Sequence, residues 1–219
     1  NAIEDCKKLA EKLDAPVCNG YQHNDSFPGS HPLAVGPLGY NGSKAGMQLI
    51  SKADVVLALG TRLNPFSTLP GYGIDYWPKN AKIIQVDMNP DRIGLTKKVT
   101  VGICGDAKMV AQQILEKLSK NAGDSGREER KNLIHQTKSA WLQTLTGLDH
   151  EEDDPGTVWN KEARERDKDR MSPRQAWRAI QEAMPTDVII SSDIGNNCAI
   201  GNAYPTFEKG RKYLAPGLF

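Results

Sequence analysis

Several easily recognised signals are missing from this chain, and each absence removes a class of protein. Its four cysteines, Cys6, Cys18, Cys104 and Cys198, stand far apart with no C-x-x-C pair. They form neither a zinc site nor a disulfide framework, and they read as reduced thiols of a cytoplasmic protein. No apolar run approaches the roughly 20 residues that a membrane helix requires. Charged residues make up 25% of the chain, yet they nearly cancel to a net charge of +1. No field of one sign is left to draw in nucleic acid or a membrane surface. The histidines His23, His31, His135 and His150 lack metal-ligand spacing. The glycine-rich stretch from Gly36 to Gly42 is not a G-x-G-x-x-G fingerprint, and no strong strand leads into it. No initiator methionine or signal peptide precedes the first helix, and residues 214–219 form an apolar loop without a terminating element. The 219 residues therefore read as an internal fragment of a longer protein.

What is present centres on residues 53–94. Two short apolar runs, residues 55–59 and 83–86, are rich in β-branched side chains and bounded by turn formers. Each predicts a strand buried on both faces, as in a parallel sheet covered by helices. Both end in polar loops, Gly60-Thr61-Arg62 and Asp87-Met88-Asn89-Pro90. Ligands of open α/β sheets bind at that carboxyl edge, so Gly60, Arg62 and Asp87 are candidates for a nucleotide crevice. The other reading of Arg62 and Asp87 is that they fix loops or interfaces. Between the two strands, Tyr72, Tyr76 and Trp77 either cover a pocket edge or pack.

Elements of the same kind surround this pair. A first helix spans residues 1–13, with Ile3, Cys6, Ala10 and Leu13 on one face. Residues 15–18 form a short strand, and residues 19–42, rich in Gly, Pro, Asn and Asp, read as loop. Ser43 caps a helix that carries Met47 and Ile50 inward. Residues 91–94 make one helical turn and residues 99–103 another strand. Asp106 caps an amphipathic helix with Val110, Ala111, Ile114 and Leu118 on its stripe.

A linker at 121–126 leads to a helix from Arg127 to about residue 145, with Ile134, Trp141 and Leu145 inward. A highly charged connection follows over 149–170. Within it Glu151-Glu152-Asp153-Asp154 lacks a glycine-turned ligand loop and reads as solvated chain.

At Ser172 the character changes. Ser172-Pro173-Arg174-Gln175 is a capping box with proline at the first helical position. The helix turns Ala176, Trp177, Ile180 and Met184 inward, and residues 187–191 form a buried-type strand. It runs into Ser192-Asp193-Ile194-Gly195-Asn196-Asn197, the form of an anion-binding strand-loop-helix. Cys198 beside it reads as a small packing residue.

Three stretches carry a resemblance: Gly36 to Gly42, residues 53–62 ending in Gly60-Thr61-Arg62, and residues 84–90 with Asp87-Met88-Asn89-Pro90. Through them the chain resembles the thiamine-diphosphate (ThDP) enzymes related to acetolactate synthase. Residues 154–177, 191–204 and 210–219 look like the sulfoacetaldehyde acetyltransferases within that family. The resemblance implies an α/β fold: a doubly wound parallel-sheet central domain (1–120, first strand missing), a helix and charged linker (121–171), and the truncated start of a second α/β, diphosphate-binding domain (172–219).

The implied activity is acyl transfer, in which sulfoacetaldehyde and phosphate give acetyl phosphate and sulfite. ThDP and Mg²⁺ serve as cofactors in the parent protein, which is a homodimer or larger with no nucleic-acid or membrane partner. On this likeness Ile194, Gly195, Asn196 and Asn197 contact the cofactor diphosphate; otherwise the asparagines only satisfy the turn. The Gly-Asp-Gly…Asn signature for Mg²⁺ is expected beyond Phe219, and the glutamate that activates the cofactor upstream, so no catalytic or metal residue is assigned. The central domain of some relatives holds FAD or ADP, which Arg62 and Asp87 could meet. Two alternatives stay open: another ThDP lyase or synthase of the acetolactate-synthase type, and a nucleotide-binding or structural domain without catalysis.

Overall fold

A computed structural model of the chain describes residues 2–118, 126–149, 170–210 and 212–215. In chain order the first unit comprises α1 (Ile3–Leu13), β1 (Val17–Asn19), a 3-10 turn (Asn24–Ser26), β2 (Ala34–Pro37), α2 (Lys44–Ile50), β3 (Val55–Leu59), α3 (Pro65–Thr68), β4 (Lys82–Asp87), a second 3-10 turn (Pro90–Arg92), β5 (Val101–Cys104) and α4 (Ala107–Leu118). After it come α5 (Arg127–Asp149), α6 (Pro173–Ala183), β6 (Ile190–Ser191), α7 (Asn196–Ala203) and β7 (Tyr213–Leu214). All strand pairs are parallel: β1 with β2, the row β3-β4-β5, and β6 with β7. This is the α/β class that the sequence predicts.

Local chemistry accounts for the element ends. Ser43 accepts a hydrogen bond from the Gly46 N–H and starts α2, as its position predicts. Asp106 accepts from the N–H groups of Lys108 and Met109 at the start of α4. Asp14 takes a left-handed conformation (φ 47°) and closes α1. The end of α1 is then covered by α5. Arg127 and Arg130 donate to the Lys12, Leu13 and Asp14 carbonyls, and Arg127 also pairs with the Asp14 carboxylate. Cations on helix-terminal carbonyls are favoured by the helix dipole. Ile134 of α5 completes an apolar core with Ala10, Phe27, Leu33, Val35 and Leu49.

The structure corrects three expectations. Residues 19–42 are not all loop: Ala34–Pro37 is a strand whose partner is β1. Some of the glycines around it let the backbone pass close to other chain segments. Gly39 is the clearest case, at φ 85° and with a hypothetical Cβ only 1.7 Å from the Phe66 carbonyl oxygen.

Of the two strands predicted to be buried on both faces, β4 fits and β3 does not: Val55 on β3 is 48% exposed. β4 is the middle strand of the row, whereas β3 lies at its edge. Finally, the expected buried strand at 187–191 is a two-residue pairing with Ile189 61% exposed, and Ile180 on α6 is 46% exposed rather than inward. So short a pairing has little surface with which to cover its neighbours.

Candidate functional site

The carboxyl edge of β3 and β4 is stitched together by one buried side chain. The amide of Gln85, 1% exposed, donates to the carbonyls of Thr61 (3.0 Å) and Arg92 (3.2 Å) and accepts from the Gly94 N–H (2.9 Å). Asp87 is buried, and its carboxylate accepts the Asn89 N–H at 2.9 Å, a local turn. Gly60 donates its N–H to the Val86 carbonyl, which joins the two strand ends. Arg62 is exposed, and its carbonyl accepts from the Thr96 hydroxyl. Gly60 and Asp87 thus meet at one sheet edge, where polar groups of the chain itself hold the loops in place. The sequence reading passed over Gln85, although a polar residue in the middle of an apolar strand is a signal that it serves a specific partner.

The loop after β6 is built differently. Ser192 extends the pairing by donating its N–H to the Leu214 carbonyl (2.9 Å). The Asp193 carboxylate then hooks the Ile194 N–H at 2.7 Å. Gly195 has φ 83° and ψ −148°, which glycine adopts readily, and no atom lies within 4 Å of where its Cβ would stand. Asn196 and Asn197 open α7 directly after it. All four predicted residues, Ile194, Gly195, Asn196 and Asn197, lie together at this helix start and are exposed. Early N–H groups of a helix have no partner within it, so they and the two side-chain amides are donors suited to an anion. The Ile194 N–H is taken by Asp193, so that residue offers no free amide.

Behind the loop, α7 rests on the segment between β1 and β2. Asn202, fully buried, accepts from the Gln22 N–H (2.8 Å) and donates to the Tyr40 carbonyl (2.7 Å). Asn24 donates to the carbonyls of Asn202 and Pro205. The Cys198 sulfur meets the Gln22 amide and the Tyr21 hydroxyl, each at 2.8 Å. Burial first, and then the hydrogen bond with Cys198, push the Tyr21 phenol up from its ordinary value, so it stays protonated. Cys198 thus has polar partners beyond the packing role read from sequence. Asp25 accepts the N–H groups of Lys212 and Tyr213 and so fixes the start of β7. These contacts span more than 160 positions of sequence. From sequence, Gln22, Asn24 and Asp25 are only part of the loop predicted over residues 19–42.

Residues 1–114 match the family described as "Thiamine pyrophosphate enzyme, central domain". The chain belongs to the thiamine pyrophosphate enzymes. The match covers α1 through most of α4, so in this family member the edge held by Gln85 lies in the central domain and the loop at 194–197 falls outside the matched residues. The chain is 78% identical, over all of its 219 residues, to the "Probable sulfoacetaldehyde acetyltransferase" of Rhizobium meliloti, and spans 37% of that protein. It is 76% identical over 218 residues to the "Sulfoacetaldehyde acetyltransferase" of Roseovarius nubinhibens, spanning 36% of it. Against the "Acetolactate synthase large subunit" of Buchnera aphidicola the identity is 28% over 220 residues, covering 99% of this chain and 34% of that one. The chain therefore spans about 37% of the length of the first of these relatives.

Among the described residues no group of three or more His, Cys, Asp or Glu side chains is placed to hold a metal ion. His150 and Glu151 to Asp154 lie outside the described residues. Among the described helices none is long and apolar enough to cross a membrane.

Proposed function

We propose that this chain is part of a ThDP-dependent sulfoacetaldehyde acetyltransferase, which converts sulfoacetaldehyde and phosphate to acetyl phosphate and sulfite. The observation that carries the proposal is the 78% identity to a protein of that name along the entire chain, against 28% to an acetolactate synthase subunit. ThDP, when bound, supplies an electron sink at the substrate carbonyl carbon. This chain contributes the loop that receives the diphosphate. The open side of Gly195 would let phosphate oxygens approach the backbone, and Asn196 and Asn197 would donate to them. Ile194 borders the loop, with its N–H turned back to Asp193.

Mg²⁺ accompanies the diphosphate in the intact protein, with ligands outside the described residues. The central-domain edge serves as scaffold: of Arg62 and Asp87, the two residues that could meet FAD or ADP there, the Asp87 carboxylate holds the Asn89 N–H and the Arg62 carbonyl holds the Thr96 hydroxyl. The intact protein is a cytoplasmic homodimer or larger, because the family places ThDP between domains of two subunits. Its other partners are the small anions it converts.

The test is an assay of the intact protein with ThDP and Mg²⁺. Sulfite release from sulfoacetaldehyde should require phosphate and yield acetyl phosphate in equal amount. Formation of acetolactate from pyruvate, with no phosphate-dependent sulfite release, would place the chain in an acetolactate-synthase-type enzyme instead.

A further inference from the structure

We propose that Asn202 and Gln22 are positioning residues that let the central domain set the place of the diphosphate-binding loop; this rests on the reading of residues 195–197 given above. The helix that starts at this loop has eight residues. Isolated helices shorter than about 12 residues are marginal in water. Its position is therefore decided by what it docks on.

One side lies against β7 and approaches it so closely that a Cβ on Gly201 would stand 2.0 Å from the Tyr213 hydroxyl oxygen. The other side carries Cys198 and Asn202, four residues apart and so on one helical face. That face meets a matching set of groups on the segment after β1. Asn202 is held at both ends of its side-chain amide, by the Gln22 N–H at 2.8 Å and by the Tyr40 carbonyl at 2.7 Å. The Gln22 side chain reaches Cys198, one residue beyond the proposed phosphate contact Asn197. Gln22 itself is in the left-handed region at φ 60°, a conformation that a non-glycine residue keeps only where its surroundings impose it.

A buried, two-ended amide of this kind fixes distance and direction together, which apolar contact does not. The first turn of α7 is rigidly continuous with Asn202, so a shift at the buried end displaces the amides at the open end. Ligand donors lose their effect when displaced by about an ångström.

The experiment uses the intact protein in buffer with Mg²⁺ and titrates ThDP by calorimetry. Asn202→Asp keeps the acceptor for Gln22 and removes the donor to Tyr40. Its dissociation constant for ThDP should rise about tenfold, as for other second-layer supports of a site. In steady-state assays the defect should appear in the KM for ThDP and be recovered at saturating cofactor. Gln22→Met is the second variant, for the case that Asn202→Asp does not fold. It removes only the donor to Cys198, and the dissociation constant should rise about fivefold, the worth of one hydrogen bond. Asn197→Ala tests the underlying reading separately. If Asn197→Ala weakens ThDP and a folded Asn202→Asp or Gln22→Met binds like wild type, the positioning role is wrong and the site stands. If Asn197→Ala has no effect on ThDP, the site assignment is wrong and the positioning role falls with it.

Discussion

Cys18 ties the stability of the central domain to pH. It sits on β1 against α2, with its sulfur 3.8 Å from the Gly46 carbonyl oxygen. Burial pushes its thiol from the ordinary 9.0 up to about 12. The folded state therefore keeps a proton that the unfolded chain releases. The resulting stability is fully present below pH 9.0 and is lost as pH rises towards about 12. Tyr76, which is fully buried, is raised to about 12 by burial and acts in the same direction. Denaturant titrations across this alkaline range should show the unfolding free energy falling with pH. Cys18→Ala should make that fall shallower and leave the Tyr76 contribution in place. An unchanged slope would mean that the thiol is not held neutral by the fold.

Among the described helices, α6 has the most complete start. The Ser172 hydroxyl accepts from the Gln175 N–H at 3.1 Å, and the Gln175 side chain accepts from the Ser172 N–H at 2.9 Å. Proline at the first helical position adds a preset φ at no cost in hydrogen bonds. Ser172→Ala should lower stability by about 1 kcal/mol, read from the urea midpoint, with the denaturant slope unchanged. A loss of less than about 0.3 kcal/mol would show that packing of the half-buried Trp177, rather than the cap, holds this helix. The strands show a different balance. Val55–Leu59 and Lys82–Asp87 pair in register over five residues, so their length and β-branched content predict them well. Ile190–Ser191 pairs over two residues, and its place depends on Asp25 holding the start of the opposing strand.

At the scale of the molecule, two parallel-stranded units are joined by a set of polar contacts. The link includes Tyr21, Gln22 and Asn24 against Cys198 and Asn202, Ser30 against Glu208, and Asp25 against the start of β7. Such a link transmits position well but contributes less stability per contact than a packed core. On the proposed reading, residues 195–197 supply the diphosphate loop, and the Mg²⁺ ligands and the activating glutamate would come from other parts of the intact protein. The 219-residue chain alone should therefore show no sulfite release and only weak binding of ThDP with Mg²⁺ in calorimetry. Tight binding by the isolated chain would mean that its own residues complete the cofactor site.

Read alone, the sequence determined the elements whose causes are local. The caps at Ser43, Asp106 and Ser172, the β-branched runs of β3 and β4, and the buried stripe at Val110 and Ala111 all follow from neighbours a few residues away. It also singled out the Gly195-Asn196-Asn197 turn, because glycine and small amides before a helix have a recognisable chemistry. Only the tertiary structure decided what residues 19–42 are for. Nothing near Gln22 or Asn24 in sequence predicts a partner about 180 positions away, and Asn, Asp and Gly serve turns and buried networks equally well. The same holds for exposure. Val55, Val101 and Ile180 have the composition of buried residues, yet whether a face is covered depends on which element packs against it. Hydrogen-bond pattern and periodicity are written into a short stretch of chain, but contact across the molecule is a property of the whole fold.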